Sequence, residues 1–386
     1  MAAERRKMRD STKHISVIGI GKLGLCFALC LERAGHHVLG YDINKELVDG
    51  INNKKVNSLE PQVNELLASS KNFKATTSLA EAIRDTDINY VFVNTPSDEN
   101  GKFEHSNIDS IIDELQVYGK NSNLFVIAST VMPGYCEDAR ETLQNLGYNV
   151  AYNPLFIVQG AIVEGITNSS IVLIGGDEKA KSQIIDLHSS FLESNPRFLK
   201  TSLIESEIIK IGVNCYITMK ISFANMIGAF CKNTSEDIDV NTVLKSIGSD
   251  ERIGEKAFGY GYGFGGPCFP RDNRALEYAS RVVGVDPKIC KAVNEQNDEH
   301  LKNQLNLIER GDLPDNISPD RETGGYKIDG VTYKKGTNIL EESQPLKLAL
   351  MLAEKGNPIT IIEEAGVIEE LKKLYPHKFN YDVHKV

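Results

Sequence analysis

The stretch "VIGIGKLG" at residues 17–24 constrains the fold most. It places Gly19, Gly21 and Gly24 in a G-x-G-x-x-G spacing directly after the β-branched run "HISVI" and directly before the helical stretch "GLCFALCLERAG". In that context each glycine has a physical duty. The first allows a tight turn, the second lets a pyrophosphate approach backbone N–H groups at a helix N-terminus, and the third permits close helix–strand packing. Asp42 ends the next strand signal, "HHVLGYD", where a carboxylate accepts hydrogen bonds from ribose hydroxyls and repels a 2′-phosphate. These features predict a dinucleotide fold that takes NAD in preference to NADP. "VNTPS" (93–97) and "STVMPG" (129–134) follow later strand signals, so Thr95, Pro96, Ser129 and Thr130 are expected to line the same cleft at the carboxyl edge of the sheet.

Further short β-branched runs, "NYVFVNTP", "NLFVIASTV", "NVAYNP" and "SSIVLIGG", alternate with helical stretches, which indicates an α/β fold with an N-terminal Rossmann-like, doubly wound parallel sheet. Residues 203–232 carry no proline and are apolar on most sides, the pattern of a long central helix buried between domains. "ERGDLPDNISPDRETGG" has turn and loop composition, and "YKIDGVTYKKGT", "QPLKLALMLAEKG" and "PITIIE" after it suggest a smaller C-terminal α/β unit. The 386 residues thus divide into a solvated tail over 1–12, a dinucleotide domain over 13–200, a helical middle over 201–308 and the smaller unit over 309–386.

Hydrophobic residues make up 41% of the chain, and its longest apolar runs fall well short of the roughly 18–20 residues a membrane span requires. The expectation is a soluble, cytoplasmic protein with no membrane partner. A formal net charge of -10 argues against nucleic acid, whose binding is built from clustered Lys and Arg. The opening "MAAERRKMRDSTK" lacks the apolar core of a secretory signal. Seven cysteines, an odd set without a C-x-x-C pair, fit a reducing compartment, and no metal site is visible. Cys26 and Cys30, four apart among apolar neighbours, read as core.

Candidate chemistry gathers in two places. Lys210 and Asn214 stand four apart on the long helix, hence on one face, where a cation and an amide could bind a developing oxyanion; a snorkelling lysine beside a surface asparagine is the alternative. "GFGGPCFPRDN" (263–273) sets Cys268 among glycines and prolines, followed at once by Arg271 and Asp272. Nearby cations and glycine backbone N–H groups favour a thiolate, and glycines offer little for a packing cysteine to pack against. Asp272 could hold or activate water.

At these residues the chain resembles the family of nucleotide-sugar dehydrogenases typified by UDP-glucose 6-dehydrogenase, over 14–300 and more thinly to about 363. "GFGGPCFPRD" is similar to the family's GFGGSCFPKD, "KIGVN" to its Lys-x-x-x-Asn helix, "DERIG" (250–254) to DPRIG, and "TYKKGTNILEES" to FKxxTxDxRES; "STVMPG", "VNTPS" and "LEP" (59–61) also match. The resemblance implies that NAD is held by Gly19, Gly21, Gly24, Asp42, Thr95, Pro96, Ser129 and Arg271. It implies a nucleotide-sugar substrate contacted by Arg252 from a neighbouring subunit, Tyr260, Phe264, Gly265 and Lys334, and therefore a homo-oligomer. Its chemistry implies a four-electron oxidation at C6 through a thiohemiacetal and thioester on Cys268. Lys210 and Asn214 would stabilise oxyanions, Thr130 would place a water and Asp272 would serve proton transfer. The central helical part would be the dimerisation domain and the C-terminal unit a shortened nucleotide-sugar-binding domain.

Beyond Pro267 for Ser and Arg271 for Lys in the cysteine motif, the chain departs from the family pattern in three further places: "NPLFIVQG" offers Leu155 and Gln159 where two glutamates are expected, and Glu341 replaces an arginine. Three readings fit these residues: a four-electron nucleotide-sugar dehydrogenase, a two-electron hydroxyacid-type dehydrogenase, and a non-catalytic nucleotide-sugar binder.

Overall fold

A computed structural model describes residues 12–118, 123–234 and 236–384. The tail expected over 1–12 lies outside the described residues up to residue 11. The chain separates into two compact units, Met1–Lys210 and Ile211–Val386.

The first unit is built on an eight-stranded sheet: β1 (His14–Ile18), β2 (His37–Tyr41), β3 (Phe73–Thr76), β4 (Ile88–Val91), β5 (Leu124–Ile127), β6 (Asn149–Tyr152), β7 (Ile171–Gly176) and β8 (Arg197–Thr201), in the order β3-β2-β1-β4-β5-β6-β7-β8. Alternation along β5 shows why both faces must be covered: Leu124 and Val126 join one apolar cluster, Phe125 and Ile127 the other. The strand order reverses between β1 and β4, which sets the loops after these two strands side by side. The sheet departs from the expected parallel pattern at one place, where β6 and β7 pair antiparallel. The connection between them holds the six-residue helix Ile162–Thr167.

In the second unit the helices Val240–Gly248, Phe269–Val282 and Lys288–Glu309 precede a four-stranded sheet, β12-β11-β10-β9, formed by β9 (Ile317–Asp320), β10 (Gly325–Asp329), β11 (Ile359–Glu363) and β12 (Asn380–Val383). Leu301, Leu305 and Ile308 pack with Ile328, Ile361, Leu348 and Leu352 in its core. The expected loop over 309–325 is corrected here: residues 317–320 form β9, antiparallel to β10. The helix Leu203–Lys232 forms as expected, but it is not buried all round. Tyr216, Phe223, Met226 and Phe230 are 41–70% exposed. Among the described residues no helix is long and apolar enough to cross a membrane.

Beneath the first sheet, Asn153 ties three elements together. Its Oδ1 accepts from Tyr90 Oη (3.0 Å) and pairs with His188 Nε2 (2.7 Å), while its Nδ2 donates to the Leu173 carbonyl (2.8 Å). Burial pushes the His188 imidazole from 6.5 down to about 3, and that of His105 down to about 4. Both lie below the unfolded value, so the unfolded chain binds protons that the folded one refuses. This stability is fully present above about pH 6.5 and is lost as pH falls, with a slope approaching about 1.4 kcal/mol per pH unit for each histidine. The urea midpoint should therefore drop between pH 7 and pH 5; a flat midpoint would mean that both rings are charged in the folded state.

Candidate active site

The turn after β1 is fixed from several sides. Gly19 adopts φ +87°, and a Cβ there would meet the Phe92 carbonyl oxygen at 2.7 Å; a Cβ on Gly24 would meet the Gly19 carbonyl oxygen at 1.9 Å. The helix Lys22–Arg33 begins at Gly21 with no side-chain cap and no acid in its first turn. Space is open around Gly21, where nothing lies within 4 Å of an added Cβ. An uncapped, approachable helix N-terminus is the arrangement that accepts a pyrophosphate. Asp42 stands beside it, accepting from Ile20 N (3.1 Å) and Asn44 N (2.9 Å), so its carboxylate is held rigidly at the end of β2. A carboxylate has about four acceptor sites, enough to take ribose hydroxyls as well. These residues fit NAD.

The loops that follow β4 and β5 are joined. Thr95 Oγ1 donates to the Thr130 carbonyl (2.7 Å), and Ser129 Oγ donates to the Val93 carbonyl (2.7 Å). Thr95 and Ser129 are buried, while Pro96 is exposed. His105, which the sequence reading missed, accepts from Met132 N through Nε2 (3.1 Å) and stacks on Tyr135 at 3.9 Å.

Lys210 is only 8% exposed, which removes the snorkelling alternative. Its ammonium donates to the Leu155 carbonyl (2.8 Å) and lies 4.6 Å from the centre of the Phe156 ring. Position 155 thus reaches the lysine through its backbone. Glu60, in the "LEP" motif, is 5% exposed and accepts from Gly160 N (2.8 Å) and Ile162 N (3.2 Å), anchoring the loop that supplies this carbonyl.

In the second unit Cys268 is exposed and is the N-cap of the helix Phe269–Val282. Asp272, one turn on, is 1% exposed and accepts from Asn214 Nδ2 at 2.6 Å; Arg271 Nε lies 3.8 Å from its other oxygen. The preceding loop is clamped by Asn297, which accepts from Phe264 N (2.9 Å) and donates to the Phe264 carbonyl (3.0 Å). In this loop a Cβ on Gly265 would meet the Glu342 carbonyl oxygen at 2.3 Å and one on Gly266 the Tyr333 ring at 2.5 Å, so these two positions lie where the segment over 333–342 presses on the loop. Cys26 and Cys30 are buried, as core residues, and burial pushes both thiols up.

Two expected substrate residues stand apart. The Arg252 side chain is 88% exposed and bonded to Asp250 (2.6 Å). Tyr260 stacks edge-on to His300 and lines a cavity of about 580 Å³ with Lys232, Tyr262, Gln304 and Asn316; none of Cys268, Asp272, Asn214 and Lys334 lines it. Among the described residues no group of three His, Cys, Asp or Glu is placed to hold a metal.

Residues 13–192 match the NAD binding domain of the UDP-glucose/GDP-mannose dehydrogenase family, and residues 204–299 match its central domain. The chain belongs to this family. It is 30% identical over 365 residues to the GDP-mannose 6-dehydrogenase of Pseudomonas syringae pv. tomato, a match covering 90% of this chain and 80% of that protein. It is 29% identical over 379 residues to the UDP-glucose 6-dehydrogenase of Haloferax volcanii, covering 94% and 85%. The solved UDP-glucose dehydrogenase of Pyrobaculum islandicum is similar at a TM-score of 0.85 and 27% identity, covering 96% of this chain and 86% of that one. NAD is the family's cofactor, and the glycine turn is built for it. Because Asp42 would face the 2′-phosphate, NADP should bind at least about tenfold more weakly than NAD in a fluorescence titration; equal affinities would contradict the placement of Asp42 at the ribose.

Proposed function

We propose that this dehydrogenase converts the C6 alcohol of a nucleotide sugar to the carboxylate, a four-electron oxidation through a covalent adduct on Cys268, with UDP-glucose as the first substrate to test. The observation that carries this reading is Cys268 itself, an exposed thiol at the N-terminus of a 14-residue helix and one turn from buried Asp272. Helix N-termini favour thiolates. Bound NAD supplies the acceptor for each of two hydrides.

The Cys268 sulfur adds to the C6 aldehyde carbon, and after the second oxidation water cleaves the resulting thioester and returns the thiol. Lys210 and Asn214 hold the oxyanions that develop on the C6 oxygen. Asp272 takes the proton of the attacking water, which Thr130 helps to place. With Leu155 where the family has a glutamate, this proton transfer falls to Asp272. Thr95, Pro96, Ser129 and Arg271 complete the NAD contacts, and Phe264, Gly265, Tyr260 and Lys334 hold the sugar nucleotide, with residues 309–386 as its nucleotide-binding domain. A GDP-sugar is the second reading, supported by the 30% identity to a GDP-mannose 6-dehydrogenase.

We assign the exposed side of the helix Leu203–Lys232 to a homodimer contact. Tyr216, Phe223, Met226 and Phe230 recur on one helical stripe, and such a contiguous apolar surface is costly to leave in water. Arg252, 88% exposed, then serves a neighbouring subunit's substrate.

Each sugar oxidised should yield two NADH, and Cys268→Ser should form no acid while still binding NAD. One NADH per sugar would restore the two-electron reading, and none across UDP- and GDP-sugars would leave a binder. Phe230→Asp should shift the protein toward a monomer in light scattering; an unchanged mass would remove the helix from the contact.

A further inference from the structure

Glu207 lies on the long helix three residues before Lys210 and is completely buried, at 0% exposure. Its two oxygens grip one feature: Oε2 accepts from Gly134 N at 2.6 Å and Oε1 from Cys136 N at 2.7 Å. Gly134 is the N-cap of the helix Tyr135–Asn145, in a left-handed conformation at φ +100°, and supplies no side-chain cap of its own. Glu207 therefore caps this helix from more than 70 residues away along the chain. The segment it holds is the end of "STVMPG", which bears Ser129 and Thr130.

Burial raises the Glu207 carboxyl from its ordinary range, and the backbone donors from Cys136 and Gly134 oppose that rise. A cap need not be a buried carboxylate on a distant helix, since Ser, Thr, Asp or Asn next to the helix would serve. What this arrangement adds is a rigid link between the Thr130 loop and the backbone that carries Lys210. The bonds from Thr95 to the Thr130 carbonyl, from Ser129 to the Val93 carbonyl and from Met132 N to His105 tie the loop to the segment after β4 and not to the long helix.

We infer that Glu207 is a positioning residue, which sets the Thr130 loop against Lys210 so that the water and the oxyanion are addressed in one geometry. This rests on the roles proposed for Thr130 and Lys210. Glu207→Gln keeps the shape but sets an amide N–H₂ against one of two backbone N–H groups, so the loop must move. A misplacement of about 1 Å can cost on the order of 10²-fold in rate. Glu207→Asp keeps both acceptors and the charge on a shorter arm.

The test uses the full chain with NAD and the nucleotide sugar that it oxidises, together with amide hydrogen exchange of the segment containing Gly134 and Cys136, which requires no turnover. We expect Glu207→Gln to lower kcat by about 10–100-fold with both KM values within about threefold, and to speed exchange of the two amides by about tenfold or more. Glu207→Asp should recover part of both. If Glu207→Gln does not fold, the same kcat and exchange comparison is made on Glu207→Asp. A lowered melting temperature with kcat within about twofold of the parent would mean a cap and nothing more, and overturns the inference. If the parent oxidises no nucleotide sugar, the proposed reaction fails, and the exchange data still decide whether Glu207 holds the loop: unchanged exchange overturns it.

Discussion

Charge buried in a protein must be answered by fixed dipoles, and the way this chain answers its buried charges organises both candidate half-sites. Moving a carboxylate out of water costs several kcal/mol, whereas one hydrogen bond to a charged group returns about 1.5–3 kcal/mol. A single donor does not close that gap. Glu60 and Glu207 accordingly take two backbone N–H groups each, at the starts of two different helices, and Lys210 takes a backbone carbonyl and an aromatic face. In these contacts charge meets backbone rather than opposite charge. The loops are pinned by the same bonds that make the charges tolerable.

This division of labour explains which candidate residues could be named from the sequence. The roles proposed for Cys268, Asp272, Lys210, Asn214 and Asp42 lie in their side chains, so their types and spacing are informative by themselves. Glu207, His105 and Asn297 act by holding backbone atoms of distant residues, and nothing in a local spacing announces such a partner. The glycines of "GFGGPCFPRD" belong to the same class. Gly265 lies against the Glu342 carbonyl, 77 residues further along the chain, Gly263 against Asn297 and Gly266 against Tyr333.

The fold was legible where burial was complete. Central strands such as β4 and β5 are buried at every position, and β5 reads as an unbroken apolar run while β4 is interrupted only by buried Asn89. The strands that went unread, β3, β8, β9 and β12, are the outer strands of the two sheets. An outer strand packs one edge and often one face, so "FKAT", "RFLKT", "ISPD" and "NYDV" have too few apolar residues to form a period. Pro319 within β9 sits where only an outer strand accepts a proline. The antiparallel step from β6 to β7 was hidden for another reason, because pairing direction is not written in the composition of either strand.

The three departures from the family pattern can be weighed by the same distinction. At position 155 the backbone carbonyl holds Lys210, and any side chain preserves that bond, so replacing a glutamate by leucine removes a proton carrier but leaves the lysine in place. Gln159 precedes the N–H group that Glu60 accepts, and that contact is likewise indifferent to the side chain at 159. Glu341 is exposed, while its neighbour Glu342 is bonded to Arg274 and Lys347, so the segment over the glycine loop keeps its ionic anchor. The backbone contacts at 155 and 160 do not depend on these side chains, while the Leu155 side chain adds its packing to the apolar core of the first unit. What changes is the number of carboxylates, and under the proposed reaction the proton transfer falls to Asp272, whose orientation is set by Asn214 on the long helix.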